Sequence, residues 1–452
     1  MLWLTVVGAV NYSCTLTNEE VSTDPSHKLR FSADTVFFDT IFSEIPSITR
    51  RLRVYNDNNA AVSIATISLE DANSPYKLTI NGRTGTAFDN TKLLARDSLL
   101  ILLDVQISDR DLDLPYVIEE KLKFKTNGNS QEVSIFSWGQ DVNYIRDSIL
   151  TCNTTWTAGK PYVIFDNALV DTLCTLTIEP GTQIYSHLGS QLYVQGTLQA
   201  IGTADKPIIF SNDRFDGDYQ TYPGQWGGIT FLPGSTSNHL RFTSIRNAEI
   251  GIWLGTPDDD STPDLVLENS VIENMSGSAL LAFTSDLEMS NCLLDNSGDL
   301  LVGLLAGGNY SLHHNTMANY GFGVFKSQPT FYVSDQLALS DGSIIADPVS
   351  LQLNNCLVWG SSTEEIVFED LSANEFLVDM SNNLLRTTDE FFKINNNILN
   401  QDPLFISPVD FEYQLNDGSP ALKAGKDIGY SFDLLGQPRT IPPDIGAYEK
   451  QQ

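Results

Sequence analysis

Residues 311–323, "SLHHNTMANYGFG", set two histidines, His313 and His314, beside Asn315. Adjacent imidazoles next to an amide suit a metal site or an acid–base pair. Two acidic loops raise a second chemistry. "NDRFDGDYQTYPGQW" carries Asp213, Asp216 and Asp218, and "GTPDDDSTPD" carries Asp258, Asp259, Asp260 and Asp264. Clustered carboxylates fit calcium, which takes roughly six to eight oxygen ligands, although neither loop has the spacing of an EF-hand or a nonapeptide calcium repeat. Arg214, Arg241 and Arg246 are close enough in the chain to supply the base of a calcium-dependent polysaccharide lyase. Glu268, Glu288 and Asp379 offer the carboxylates of a glycosidase, which must stand about 5–10 Å apart. Trp253, Tyr222 and Trp226 offer faces on which a sugar ring could stack. No phosphate loop, GxSxG elbow or HExxH is present.

The elements that must position these groups show themselves by repetition. Five segments align without gaps: "LVLENSVIEN" from Leu265, "LEMSNCLLDN" from Leu287, "YSLHHNTMAN" from Tyr310, "LQLNNCLVWG" from Leu351 and "VDMSNNLLRT" from Val378. Their third column is Leu267, Met289, Leu312, Leu353 and Met380, and their fifth is Asn269, Asn291, His314, Asn355 and Asn382. Alternating apolar columns followed by an asparagine column describe a strand that turns a corner once per repeat. Asparagine tolerates the left-handed conformation, and its amide can bond to the residue stacked above or below. The starts are 22, 23, 41 and 27 residues apart, the 41 holding an insertion within 327–348. A period near 22 with three short strands per turn predicts a right-handed parallel β-helix.

His314 is therefore expected as a structural ladder residue with Asn269, Asn291, Asn355 and Asn382. His313 falls in an outward column with Glu268, Ser290, Asn354 and Ser381, on a solvated face where a partner could bind. Asn247, Asn274 and Asn296 mark a second polar corner. Residues 150–400 leave room for about ten turns, a rod about 50 Å long at ~4.8 Å per stacked strand. Residues 401–452 are expected to cap its open end, where core and strand edges would otherwise be bare.

Residues 28–141 alternate with period two instead. About seven such runs, with the tight-turn pair Asn127-Gly128 between two of them, predict an N-terminal Ig-like β-sandwich. It holds no catalytic cluster and reads as a spacer. The all-β chain is thus divided into 1–14, a signal or lipobox-like segment, 15–27, a linker, the sandwich, the solenoid and its tail. "MLWLTVVGAV" is too short to span a bilayer but suits a secretion signal, and Ser13-Cys14 resembles the end of a lipobox, with Cys14 the residue to be acylated. No Lys or Arg precedes the apolar run, and Asn11 and Tyr12 depart from the usual lipobox residues.

The 452 residues carry 26 Lys and Arg against 57 Asp and Glu, a net charge of −31. A field of that sign repels phosphate backbones and anionic membranes, which argues against nucleic-acid binding, and repels polyuronates unless cations screen it. The five cysteines form no CxxC pair. Cys152 and Cys174 either pair across neighbouring turns or remain two buried thiols.

"LTIEPGTQIY", "GTLQAIGTADKPIIFSND", "WGGITFL" and "IRNAEIGI" resemble the opening turns of bacterial surface proteins with a pectin-lyase-like β-helix. The tail, "QDPLFISP", "YQLNDGSPALKAGKDIG" and "DIGAYE", is similar to the choice-of-anchor Q family, in which a β-helix is joined to this ending and to variable means of surface attachment. The resemblance covers residues 150–449. It implies a fold and a surface location in a Gram-negative bacterium, and no catalytic residue can be carried over.

Three functions fit. The favoured one is a monomeric, lipid-anchored surface module, secreted across the inner membrane, whose flank binds a carbohydrate polymer through Trp253, Tyr222, Trp226 and His313. Its alternatives are a polysaccharide lyase or glycoside hydrolase, with calcium as the one cofactor considered, and a structural or adhesive protein that recognises other surface proteins.

Overall fold

The computed structural model describes residues 19–255 and 262–451, which form two compact units divided between Asp141 and Val142. Cys14 and Asp258, Asp259 and Asp260 lie outside the described residues. Among those described, no helix is long and apolar enough to cross a membrane.

The first unit is a β-sandwich. One sheet orders Val21–Ser22, Ala61–Leu69, Tyr116–Thr126, Asn129–Gln140 and Thr35–Phe42, with Ala87–Leu93 also on Ala61–Leu69. The other orders Arg30–Phe31, Arg50–Tyr55, Ser98–Val105, Tyr76–Ile80 and Arg83–Gly85. Period-two alternation drives the packing: Leu99, Ile101, Leu103 and Val105 are buried while Leu100 between them is exposed. Their core is shared with Ile64, Tyr76, Leu122 and Val133 from both sheets. Asn127 and Gly128 have φ of 49° and 76°, the positive pair that a two-residue turn between Thr126 and Asn129 requires.

The second unit is a parallel β-helix whose main sheet contains 25 strands among the described residues. One turn shows how it winds. Leu265–Glu268 lies on a first face, a corner follows at Asn269, and Val271–Met275 forms the second face. Leu280–Ser290 then covers the third face, bends at Thr284 (φ 43°) and becomes the first face of the next turn. Register lays like on like: Leu267, Met289, Leu312, Leu353 and Met380 pair in succession on the first face. Ile272, Leu294, Met317, Val358 and Leu385 do the same on the second. All ten are buried in one continuous core. Each apolar side chain thus packs against two near-copies of itself, which is why a repeat of about 22 residues is enough to specify the fold.

One boundary differs from the sequence pattern. The parallel sheet starts at Asn143–Ile149, which pairs with Tyr162–Val170, so it begins before the change of texture at residue 150. The insertion between the third and fourth repeats contains an antiparallel hairpin, Gln336–Ala338 with Ile344–Ala346. Cys152 and Cys174, 22 residues apart, form a disulfide, one turn of the solenoid. Cys292 and Cys356 are free and buried.

The tail corrects an expectation. It does not close the end of the helix but lies along its flank. Phe405, Tyr413, Leu415, Ala421, Ile445 and Ala447 cover Leu293, Ala318, Leu357 and Leu384, which sit on successive second-face strands. The physical reason is that these positions point outward yet are apolar, so the second face needs a cover as much as the end does.

Candidate ligand-binding surfaces

At the first corner the five positions have φ of 46° (Asn269), 52° (Asn291), 54° (His314), 57° (Asn355) and 54° (Asn382). Their side chains do not form a continuous ladder. One contact joins column members, the Asn355 amide donating to His314 Nε2 at 2.9 Å. The other bonds hold the tail: Asn269 donates to the Asp433 carbonyl at 2.7 Å, Asn291 accepts from Arg439 at 2.8 Å, and Asn382 donates to the Ala424 carbonyl at 2.9 Å. Asn355 both donates to the Lys426 carbonyl and accepts its N–H, each at 2.8 Å. The tail therefore runs antiparallel to the stacking direction along this corner. The ladder occurs instead at the second corner. Asn247 donates to Asn212 at 2.8 Å, Asn274 to Asn247 at 2.7 Å and Asn296 to Asn274 at 2.9 Å.

His314 is 1% exposed, and burial, then the charges of Arg439 and His313, lowers its pKa to about 2. A permanently neutral imidazole under the tail's Tyr430, 5.6 Å away, is architecture. His313 is bonded to Ser311 at 2.9 Å and faces the same Tyr430 at 5.7 Å, so the tail already takes the contact foreseen for a ligand.

The described residues of the acidic loops do not assemble a calcium site. Asp213 accepts from His187 Nδ1 at 2.7 Å, Asp216 is clamped by two Arg214 nitrogens at 3.0 and 2.8 Å, and Asp218 accepts from Tyr222 at 3.4 Å. Buried Asp264 accepts the Asp286 N–H at 2.9 Å. Among the described residues no three His, Cys, Asp or Glu side chains converge on one point. The arginines are likewise engaged: Arg246 reaches Glu273 at 2.5 Å and Arg241 lies 4.0 Å from Glu268. Pairing with Asp216 raises the Arg214 pKa further, the opposite of what a catalytic base needs.

Of the three aromatics, Trp226 is corrected to a core residue. It is 1% exposed and its indole donates to the Arg246 carbonyl at 2.7 Å, leaving no face for a sugar. Tyr222 is exposed on the loop, edge-on to Tyr219 at 5.5 Å. Trp253 stands outward on the third face, 39% exposed, stacked on Phe283 with centroids 4.7 Å apart and planes at 25°. Its column continues through Thr230 to Tyr193 on one side and Leu281 on the other, and Gln191 donates to Thr230 at 2.5 Å. The result is a half-exposed aromatic step beside a hydrogen-bonding pair.

On the first face Glu268 accepts from His239 at 2.9 Å, and that bond, then the charges of His239 and Arg241, outweighs burial and lowers its pKa. Glu288 and Asp379 share the neighbouring outward column but are separated by Ser311 and Gln352, about 14 Å along the stack and too far for a carboxylate pair. A shallow cavity of about 130 Å³ beside Glu288 is lined also by Asp286, Asn309 and Gln352, and not by Asp379.

Several charged contacts escape sequence reasoning because they join residues far apart in the chain. Lys326, whose side chain is 6% exposed, bonds both oxygens of Glu365, tying the loop after one turn to the next. The side chains of Arg439 and Glu449, each 1% exposed, form an ion pair at 3.4 Å, and Glu449 also accepts from Thr440 and from the Asp444 N–H. Glu273 and Asp295 stack on adjacent strands. Asp295 is wholly buried, and among the described residues no group hydrogen-bonds either of its oxygens. Burial and then the charge of Glu273 raise its pKa well above the carboxylate range.

Residues 148–263 match a family described as a pectate-lyase-like beta helix domain. No curated protein matches the chain. Solved structures similar to parts of it include a protein of unknown function from Porphyromonas gingivalis W83, at 14% identity over 28% of this chain and 60% of that one (TM-score 0.19). A family 123 glycoside hydrolase from Clostridium perfringens is 6% identical over 28% of this chain and 30% of its own (TM-score 0.19). The catalytic domain of a GH87 alpha-1,3-glucanase, in complex with tetrasaccharides, is 10% identical over 74% and 80% (TM-score 0.20). The chain thus spans less than two thirds of the first two, and at these scores the likenesses carry no functional argument.

Proposed function

We propose that this is a cell-surface β-helix protein whose third face binds an extended carbohydrate polymer without cleaving it. The observation that carries the reading is the Trp253–Phe283 step, half-exposed and flanked by the Gln191–Thr230 pair. Sugar rings stack on such aromatic faces while neighbouring amides and hydroxyls take their hydroxyl groups. The Cys152–Cys174 disulfide supports export to an oxidising compartment. Acylation of Cys14, attachment to the outer membrane of a Gram-negative cell, a spacer role for the sandwich and choice-of-anchor Q membership of the tail complete the proposal, all resting on the sequence patterns.

The His239–Glu268–Arg241 group on the first face favours a second reading, polysaccharide cleavage. One panel separates the two. Neutral and acidic polysaccharides are incubated with the whole chain, with and without Ca²⁺, and followed for binding, for new reducing ends and for ultraviolet absorbance of unsaturated products. Saturable binding with no product supports the first reading. New reducing ends abolished by Glu268→Gln would overturn it in favour of hydrolysis, and unsaturated products would point to a lyase.

A further inference from the structure

The solenoid stops without completing its last turn. On the third face the last strand, Ile366–Glu369, pairs with Phe331–Ser334 and, among the described residues, with no later strand. On the first face, among the described residues, Phe376–Ser381 pairs only with Val349–Asn354. The second face gains another rung, Ile398–Leu399. Two strand edges at one end are therefore left without a further strand, although on the first face the Met380 carbonyl accepts from the Asn395 amide at 3.1 Å. The side chains that point inward at this level are only partly covered. Phe392, on a short 3-10 turn, plugs the core at 2% exposure, but Phe368, Phe376 and Val378 remain half-buried. Between them lies a groove of about 720 Å³, walled by Leu377 and Phe391, which are 52% and 54% exposed. The tail, which could have filled it, is committed to the flank.

The rim decides what fits. Glu364, Asp370 and Asp389 line the groove, and no Lys or Arg does. A second copy of a chain carrying −31 would bring the same acidic rim against it, and like charges meeting across an interface disfavour association. We infer that this end receives an extended segment of another protein, added as one further β-rung, whose apolar side chains alternate with Lys or Arg. Its backbone satisfies the free edge, its apolar side chains fill the half-covered core, and its cations meet the three carboxylates. The inference does not depend on the carbohydrate reading, which concerns another face.

The test uses the whole chain and a short fluorescein-labelled peptide alternating valine and lysine, followed by fluorescence anisotropy. Two control peptides have lysine replaced by glutamate, or the same composition in scrambled order. Saturable binding is expected for the alternating peptide, weakened roughly tenfold by Phe391→Ala and by Asp370→Lys. Both variants change exposed or half-exposed side chains, and unchanged circular dichroism shows that they fold. Equal binding of the scrambled or glutamate peptide would overturn the inference, as would affinity untouched by both variants. Light scattering that shows a dimer broken by Phe391→Ala would make a second copy the occupant and overturn it too.

Discussion

His314 illustrates how one side chain can look catalytic and act structurally. Asparagine repeated at the same offset announces the left-handed corner, so the backbone role of His314 could be read from the sequence. Its partners could not, because Tyr430 and the charge of Arg439 arrive from a segment more than a hundred residues later in the chain. Its protonation has a measurable sign. An unfolded histidine titrates near 6.5, whereas burial keeps folded His314 neutral down to about 2. Its contribution is therefore fully present above pH 6.5 and is lost as pH falls below it, by about 1.4 kcal/mol per pH unit. His314→Asn, which restores the residue of the neighbouring turns, should leave the melting temperature at pH 7 almost unchanged and flatten the decline between pH 6.5 and 5. An unaltered decline would show that other groups cause it. Asp295 has the opposite sign. Its raised pKa favours the neutral folded form, so its contribution is present below the unfolded value near 3.8 and is lost as pH rises through the folded one. Asp295→Asn should raise stability at pH 7 by roughly 1–3 kcal/mol in urea unfolding and change little at pH 3.5.

Among the elements, the corner strands and the Asn127-Gly128 hairpin were legible because their signals are local. A period of two or 22 repeats within a few dozen residues, and register follows from stacking like on like. The tail was legible only as a motif. "DIGAYE" says nothing of where it docks, because the outward apolar positions it covers, Leu293, Ala318, Leu357 and Leu384, resemble core when read along the chain. Docked, the motif works through buried charge. Arg439 bonds Asn291, the Gly446 carbonyl and the Ala447 carbonyl besides Glu449. Removing one partner strands the other in a dry site, at a cost of about 3–5 kcal/mol. Glu449→Ala should therefore release the tail: limited proteolysis would cut between 401 and 451 while residues 143–255 and 262–399 stay protected, and a hydrophobic dye would bind the bared flank. Unchanged protection would show that apolar contacts alone hold the tail.

For the molecule as a whole, composition and period fixed the class of fold long before they could fix a function. The fold needs only repeating inward residues, whereas a binding site needs particular outward ones, and every solenoid of this acidity presents carboxylates by the dozen. Of the other three side chains assigned to a ligand, Trp226 is core, His313 is under the tail, and Tyr222 is on the loop between a second-face and a third-face strand, edge-on to Tyr219. Trp253 itself was legible from its outward position, but Phe283, Gln191 and Thr230 came together only through the stacking of turns. The claim that rests on them is tested most directly by affinity electrophoresis of the folded chain and of Trp253→Ala through gels containing each polysaccharide of the panel. At least one neutral polysaccharide should retard the native chain, with retardation weakened roughly tenfold in the variant. Equal retardation of both proteins, or of neither across the panel, would contradict a carbohydrate site on this face.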